Sequence, residues 1–325
     1  MTLFRREWGS GAPVIALHPL GLESSGFAGF GRTLARRGLH TIALDLPGFG
    51  RTPAPGGPLT PAVLAAPVIE LARQLAEPPV VVGLSLGGRV GLEAVLTAPE
   101  AFRAVIAVAP ALPSLRFNPF LQGARLLSPN AADWLPLERV WPLLRWLAGR
   151  LETLPYLRDD EIAQAGARLV YYLACPATRA SFFSAAREMT IEPARGPQGF
   201  WTRLPDVAVP AAFVWGERDQ LISTRFAHHV AQAYPQAQQL LLPCVSHWIN
   251  GPHHRCLAEA VAGVIERLGP ARSQRARASA RRAGAAPAAG PAATTWIGDA
   301  ELGISPCVAD PAADPQPLPD IASGG

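Results

Sequence analysis

The amino-acid sequence predicts an α/β fold: a mostly parallel central sheet with helices on both faces, interrupted by an inserted helical segment. Three observations carry this. Short runs that are apolar at nearly every position alternate with helix-length stretches from residue 14 to about residue 111. The same alternation returns after residue 204. Between the two lie about 90 residues with no good strand and many prolines. A strand that is apolar on both faces must be covered on both, as in a parallel sheet flanked by helices.

Taken in order, the expected strands are "VIALH" (14–18), "TIALD" (41–45), "VVVGL" (80–84) and "AVIAVAP" (104–110), with helices at about 24–37, 61–76 and 86–98. In the second part, "AAFVWG" (211–216) and "QQLLLP" (238–243) read as strands, and 223–233 and 252–268 as helices. The aromatic residues of the intervening stretch recur at roughly helical spacing, in "DWLPLERVWPLLRWL" and "YYLACPATRASFF". It is too long and too apolar to be a simple loop. The expected division is therefore 1–111, first part of the core; 112–203, helical insertion; 204–269, second part of the core; and 270–325, a tail. The tail is rich in Ala, Arg, Pro and Gly and has too little apolar surface to bury, so it is expected to lack order.

Composition excludes several classes of function. The chain has 325 residues, 49% of them hydrophobic, which suffices for one large core plus an insertion. Its formal net charge is +4, and every basic residue is an arginine. The arginines are scattered in runs of no more than two, so no nucleic-acid footprint is visible. No apolar run reaches the roughly 20 residues that span a bilayer. Arg5-Arg6 is followed by polar residues and glycines, not by the apolar segment of an export signal. Cys175, Cys244, Cys256 and Cys307 match no metal or redox spacing. They read as reduced structural thiols, which suggests a cytoplasmic protein. Nothing in the sequence specifies an oligomeric state.

The stretch that carries chemistry is Gly83-Leu84-Ser85-Leu86-Gly87. It ends an apolar strand and opens a helix. In open parallel sheets, ligands bind beyond the carboxyl ends of the strands. A sharp strand-to-helix turn brings backbone against backbone, which calls for the small residues Gly83 and Gly87, and it holds the Ser85 hydroxyl out at the sheet edge. The bland alternative is a plain strand–turn–helix junction. A serine hydroxyl is a poor nucleophile without a base, so the catalytic reading demands a histidine and an orienting acid at the ends of later strands.

Both are present. Asp219 follows the strand 211–216 and His247 follows the strand 238–243, giving the chain order Ser, Asp, His. Glu217 is the reserve acid, and Asp206 precedes its strand, on the wrong edge. His228, His229, His253 and His254 fall in or at the start of helices and rank lower. An anion hole needs two preorganised N–H donors. One is the amide of Leu86. The other is the amide of Leu20, in the loop "LHPLGLESSGF" after the first parallel strand. Pro19 cannot donate, Gly21 leaves room for a substrate, and His18 is placed to brace that loop with its ring.

With these residues assembled, the chain resembles the α/β-hydrolase superfamily of serine hydrolases. The matching pieces are "LHPLG" (17–21), "DLPGFGRT" (45–52), "GLSLGG" (83–88), "WGERD" (215–219) and "SHW" (246–248), over about 1–111 and 204–268. The resemblance implies a nucleophile at Ser85, an acid at Asp219, a base at His247, an anion hole at Leu20 and Leu86, and a cap over the site formed by 112–203. Many relatives have His-Gly where this chain has His18-Pro19. The N-terminal end is short, which puts an edge strand in question, and the tail has no counterpart. In "DLPGFGRT", Pro47, Gly48 and Gly50 are expected to shape a turn.

The expected activity is hydrolysis of a lipophilic carboxylic ester or related small carbonyl compound through an acyl-enzyme. No metal and no organic cofactor is required. The insertion contributes Phe117, Phe120, Trp134, Trp141, Trp146, Tyr171, Tyr172, Phe182, Phe183 and Trp201, read mainly as packing residues, and few carboxylates. Such a surface favours an uncharged apolar substrate. The alternatives that keep the same three residues are a carbon–carbon bond hydrolase, a lactonase and a cofactor-free haloperoxidase or perhydrolase.

Overall fold

The structure is a computed structural model that describes residues 1–113, 176–219, 221–243, 245–247, 253–268 and 296–297. Its strands are β1 (Arg5–Trp8), β2 (Ala12–Leu17), β3 (Leu39–Leu44), β4 (Val80–Leu84), β5 (Ala104–Val108), β6 (Ala211–Gly216), β7 (Gln238–Leu242) and β8 (Trp296–Ile297). They form one sheet in the order β1-β3-β2-β4-β5-β6-β7-β8. Every neighbouring pair is parallel except β1 with β3. The helices are α1 (Ala28–Arg36), α2 (Pro61–Gln74), α3 (Leu86–Thr97), α4 (Pro176–Ile191), the short α5 (Phe200–Arg203), α6 (Arg225–Ala233) and α7 (His254–Arg267).

The two-sided apolar character of the strands has the expected consequence. Alternate residues of β2 to β7 enter two separate cores. Ile15, Leu17, Val81, Val105, Phe213 and Trp215 pack with residues of α2, α3 and α6 on one face. Val14, Val80, Val82, Ile106, Val214 and Leu240 pack with α1 and α7 on the other. Each large aliphatic or aromatic side chain fully buried this way contributes about 1.5–3 kcal/mol. The Trp215 indole N–H donates to Gln239 Oε1 at 2.7 Å, between β6 and β7. Helix α2 starts where Thr60 caps it, its hydroxyl accepting the Val63 N–H, with Pro61 at the first helical position.

Three expectations change. The edge strand in question is present: β1 pairs antiparallel with β3, Arg5 opposite Leu44 and Trp8 opposite Thr41. Its alternation of exposed and half-buried residues suits an edge, where charged side chains discourage further pairing. Trp8 lies on the backbone of α1, where a methyl group at Gly31 would sit 2.4 Å from the indole ring. Within the tail expected to lack order, Trp296 and Ile297 pair in parallel with Gln239 and Leu240 of β7. Finally, Cys256 is disulfide-bonded, not a free thiol. Sequence spacing does not show which sulfurs meet in space. The inference of a cytoplasmic protein from reduced cysteines loses its support. Among the described residues no helix is long and apolar enough to cross a membrane.

Of the aromatic residues named above for the 112–203 stretch, Phe182, Phe183 and Trp201 are described. Phe117, Phe120, Trp134, Trp141, Trp146, Tyr171 and Tyr172 lie outside the described residues.

Candidate active site

Ser85 stands at the junction of β4 and α3 with φ 50° and ψ −110°. For a residue other than glycine, a positive φ of this kind costs about 1–3 kcal/mol and persists only where its surroundings over-determine it. They do so here. The Ser85 N–H donates to the Val108 carbonyl at 2.9 Å, and the Ser85 carbonyl accepts from Arg89 N–H and Ala111 N–H, each at 3.0 Å. Leu84 and Leu86 on either side are buried, and their burial outweighs the strain. The turn closes because its flanks lack side chains. A methyl group at Gly83 would lie 2.1 Å from the Gly87 carbonyl oxygen, and one at Gly87 would lie 2.2 Å from that of Leu17.

Asp219 and His247 meet beyond β6 and β7. The chain segments that carry them are locked together by Glu217 N–H to Leu242 C=O and Arg218 N–H to Val245 C=O, both at 3.1 Å. His247 Nδ1 lies 2.8 Å from Asp219 Oδ2. The other carboxylate oxygen, Oδ1, accepts the N–H groups of Leu221 (2.8 Å) and Ile222 (2.7 Å). The carboxylate is almost fully buried, at 1% exposure, and the imidazole nearly so. With Oδ1 held by two amides and Oδ2 facing the ring, the carboxylate fixes the orientation of the imidazole. It holds the proton on Nδ1 and leaves Nε2 as the acceptor. Glu217, the reserve acid, is exposed, and Asp206 lies in a turn before β6. His253 and His254 stand at the start of α7, and His228 and His229 on α6.

The loop after β2 is held by the ring of His18. His18 is fully buried. Its Nε2 accepts the Leu46 N–H at 3.0 Å, so the ring proton is on Nδ1, which donates to the Pro19 carbonyl at 2.8 Å. Leu22 N–H donates back to Pro19 C=O at 3.2 Å, turning the chain around Leu20 and Gly21. "DLPGFGRT" does shape a turn. Asp45 at its head accepts from Arg51 N–H (2.8 Å) and from Ser24 N–H (2.7 Å), tying that turn to the Leu20 loop.

Burial lowers the pKa of His18 below the ordinary 6.5. The folded protein thus binds fewer protons there than the unfolded chain. The stability this group contributes is complete above pH 6.5 and is lost as pH falls through the lower folded value. Urea unfolding followed from pH 7.5 to 5 is expected to show the wild type losing ground relative to His18→Asn as the pH drops. A gap between the two that stays constant with pH would refute this.

Two features escaped the sequence reading. One is an ionic cluster joining Arg89 and Glu93 of α3 to Glu192 and Arg203. The other is the placement of Phe182 against Gly21. Both depend on contacts between residues about a hundred or more positions apart, for which local pattern carries no signal.

A sheet of this order, with a strained serine after β4 and an acid–histidine pair after β6 and β7, defines a class. The chain belongs to the alpha/beta hydrolase fold family, which matches it over residues 12–253. Among solved structures, it is similar to a thermophilic esterase from Thermogutta terrifontis, with a TM-score of 0.61 and 20% identity over 82% of this chain and 93% of that one. It is similar to the enol-lactonase from Burkholderia xenovorans LB400, with a TM-score of 0.59 and 19% identity over 82% and 95% of the two chains. A serine hydrolase involved in carbazole degradation gives a TM-score of 0.59 and 20% identity over 81% and 94%. At such identity these likenesses concern the fold. No curated protein matches the chain.

Proposed function

We propose that this protein is a serine hydrolase that cleaves a lipophilic carboxylic ester through an acyl-enzyme. The single observation that carries this is the 2.8 Å bond between buried Asp219 and His247 Nδ1, at the sheet edge where Ser85 is held in a strained turn. In this reading His247 Nε2 takes the Ser85 hydroxyl proton while Oγ bonds to the ester carbonyl carbon. The carbonyl oxygen takes the electron pair and rests on the amides of Leu20 and Leu86. The amide of Leu86 belongs to the first turn of α3, whose leading N–H groups have no partner within the helix. Collapse of the tetrahedral adduct expels the alkoxide, which takes the proton from Nε2. Water then gives a proton to Nε2 and attacks the acyl carbon, and Ser85 leaves with that proton as the acid is released. Asp219 orients the ring through Nδ1 and stabilises the imidazolium.

His18, Gly21, Gly83 and Gly87 support this constellation without touching the reacting atoms. We take 1–111 and 204–269 as its core, 112–203 as a helical cap whose apolar character selects the uncharged substrate, and 270–325 as a tail without a catalytic part. The mechanism needs no metal or organic cofactor.

A fluorophosphonate probe is expected to add once per chain, on the peptide containing Ser85, and the protein is expected to turn over p-nitrophenyl esters. Labelling elsewhere, or turnover of lactones or ring-cleavage dienes with no ester hydrolysis, would displace the esterase reading.

A further inference from the structure

We propose that Phe182 is the residue that sets acyl-chain length, its ring forming the wall of the acyl pocket. This rests on the serine-esterase reading above. Phe182 lies in α4, in the connection between β5 and β6, and is 7% exposed. Its ring covers the Gly21 α-carbon so closely that a methyl group there would meet Cε2 at 3.1 Å and Cδ2 at 3.3 Å. Gly21 has φ +73°, a left-handed conformation, so it keeps this position bare both for its backbone and for the ring. Phe183 meets Phe182 edge to face, with centroids 5.8 Å apart, and holds it in place. The preceding residue, Ser181, closes over Gly48 of the turn after β3. The helix thus spans the two loops on the β2 and β3 side of β4.

Strand order decides which part of the substrate meets this wall. The nucleophile follows β4. His247, which must give its proton to the leaving alcohol, follows β7, beyond β5 and β6. The alcohol therefore departs on the β5–β7 side. With the carbonyl oxygen against the amides of Leu20 and Leu86, the acyl chain turns the other way, toward β2, where Gly21 and Phe182 stand. An aromatic ring packed on a bare α-carbon leaves little depth there. The wild type is expected to prefer short acyl chains.

The test uses the full chain and p-nitrophenyl esters from acetate to decanoate, on wild type, Phe182→Ala and Phe182→Leu, with thermal melting as the control for folding. Phe182→Ala is expected to raise kcat/KM for the long esters by about tenfold or more relative to acetate, and Phe182→Leu by less, because a few methylenes in an apolar pocket are worth at least that. A second series holds the acyl group at acetyl and varies the alcohol, and its profile is expected to be unchanged. If Phe182→Ala and Phe182→Leu change all acyl chains by the same factor, or move the alcohol profile instead, the assignment fails while the esterase reading stands. If the wild type neither hydrolyses esters nor reacts with the fluorophosphonate, the esterase reading itself fails and takes this one with it.

Discussion

Ser85→Ala is expected to abolish ester turnover, and Asp219→Asn to lower kcat by about four orders of magnitude with the fold intact. In the proposed mechanism the first removes the attacking oxygen and leaves only the rate that the anion hole and substrate binding sustain alone. The second acts through the tautomer of His247. Asp219 Oδ1 is held by the amides of Leu221 and Ile222 and Oδ2 faces His247 Nδ1. An asparagine here keeps its oxygen on those two amides, so its NH2 group faces Nδ1. That nitrogen must then accept, the ring proton moves to Nε2, and Nε2 can no longer take the proton from Ser85. Because the residues act as a unit, Ser85→Ala combined with His247→Ala is expected to be no slower than either change alone. Initial rates on p-nitrophenyl butyrate, with melting temperatures as the control, check all three. Retention of a tenth of wild-type kcat by well-folded Ser85→Ala would remove the mechanism.

Arg89→Ala is expected to destabilise the protein by about 3–5 kcal/mol, the cost of stripping one partner from a buried ion pair. Arg89 sits one helical turn after Ser85 and is 1% exposed. Its Nε donates to Glu192 Oε2 at 2.9 Å, its Nη2 donates to Glu192 Oε1 and to Glu93 Oε2, and its guanidinium lies 4.6 Å over the Phe200 ring. Arg203 completes the cluster by donating to Glu93 Oε1 at 2.7 Å. Burial opposes the charge on Arg89, but Glu192 and Glu93 outweigh it and its pKa lies above the ordinary value. Burial likewise opposes the charge on Glu93, but Arg203 and Arg89 outweigh it and its pKa lies below the ordinary 4.5.

Two positive and two negative charges cancel, and the cluster fastens the chain between α4 and β6 to α3, the helix that follows Ser85. Without Arg89, the largely buried Glu192 carboxylate loses both hydrogen bonds from the guanidinium. The melting temperature is expected to fall by roughly 6–15 °C. Arg89→Met combined with Glu192→Leu should recover part of that loss, since an apolar replacement of both partners leaves no stranded charge. Glu93 fixes the sign of the pH dependence. Its contribution is full above pH 4.5 and is lost as pH falls through its lower folded pKa, so the gap between wild type and Arg89→Ala should narrow in acid. A melting point for Arg89→Ala within 2 °C of wild type near neutral pH, or a gap that widens in acid, would show that the cluster stabilises little.

The central strands were legible because burial on both faces leaves a continuous apolar run. "VVVGL" and "AAFVWG" needed only their own residues to be read, and their observed spans match. The turn at Ser85 was legible because a close backbone approach demands glycine on both sides. β1 was not. Its exposed Arg5 and Glu7 alternate with half-buried Arg6 and Trp8, and only pairing with β3 makes them a strand. The disulfide at Cys256 was missed for the same reason, as a cysteine gives no local sign of its partner.

By itself the sequence determined the layered α/β architecture and the order of the chemically able residues, Ser85, Asp219 and His247, along the strand ends. Those features follow from the periodicity of side chains and from backbone conformations that only certain residues adopt, which act over a few positions. Only the tertiary structure decided that Asp219, not Glu217, meets His247, that Arg89 binds Glu192, and that Phe182 covers Gly21. Each of those contacts is set by how the sheet's strand order brings distant loops to one edge. A short-range force between side chains can select a partner only after the packing of the two cores has placed it within reach.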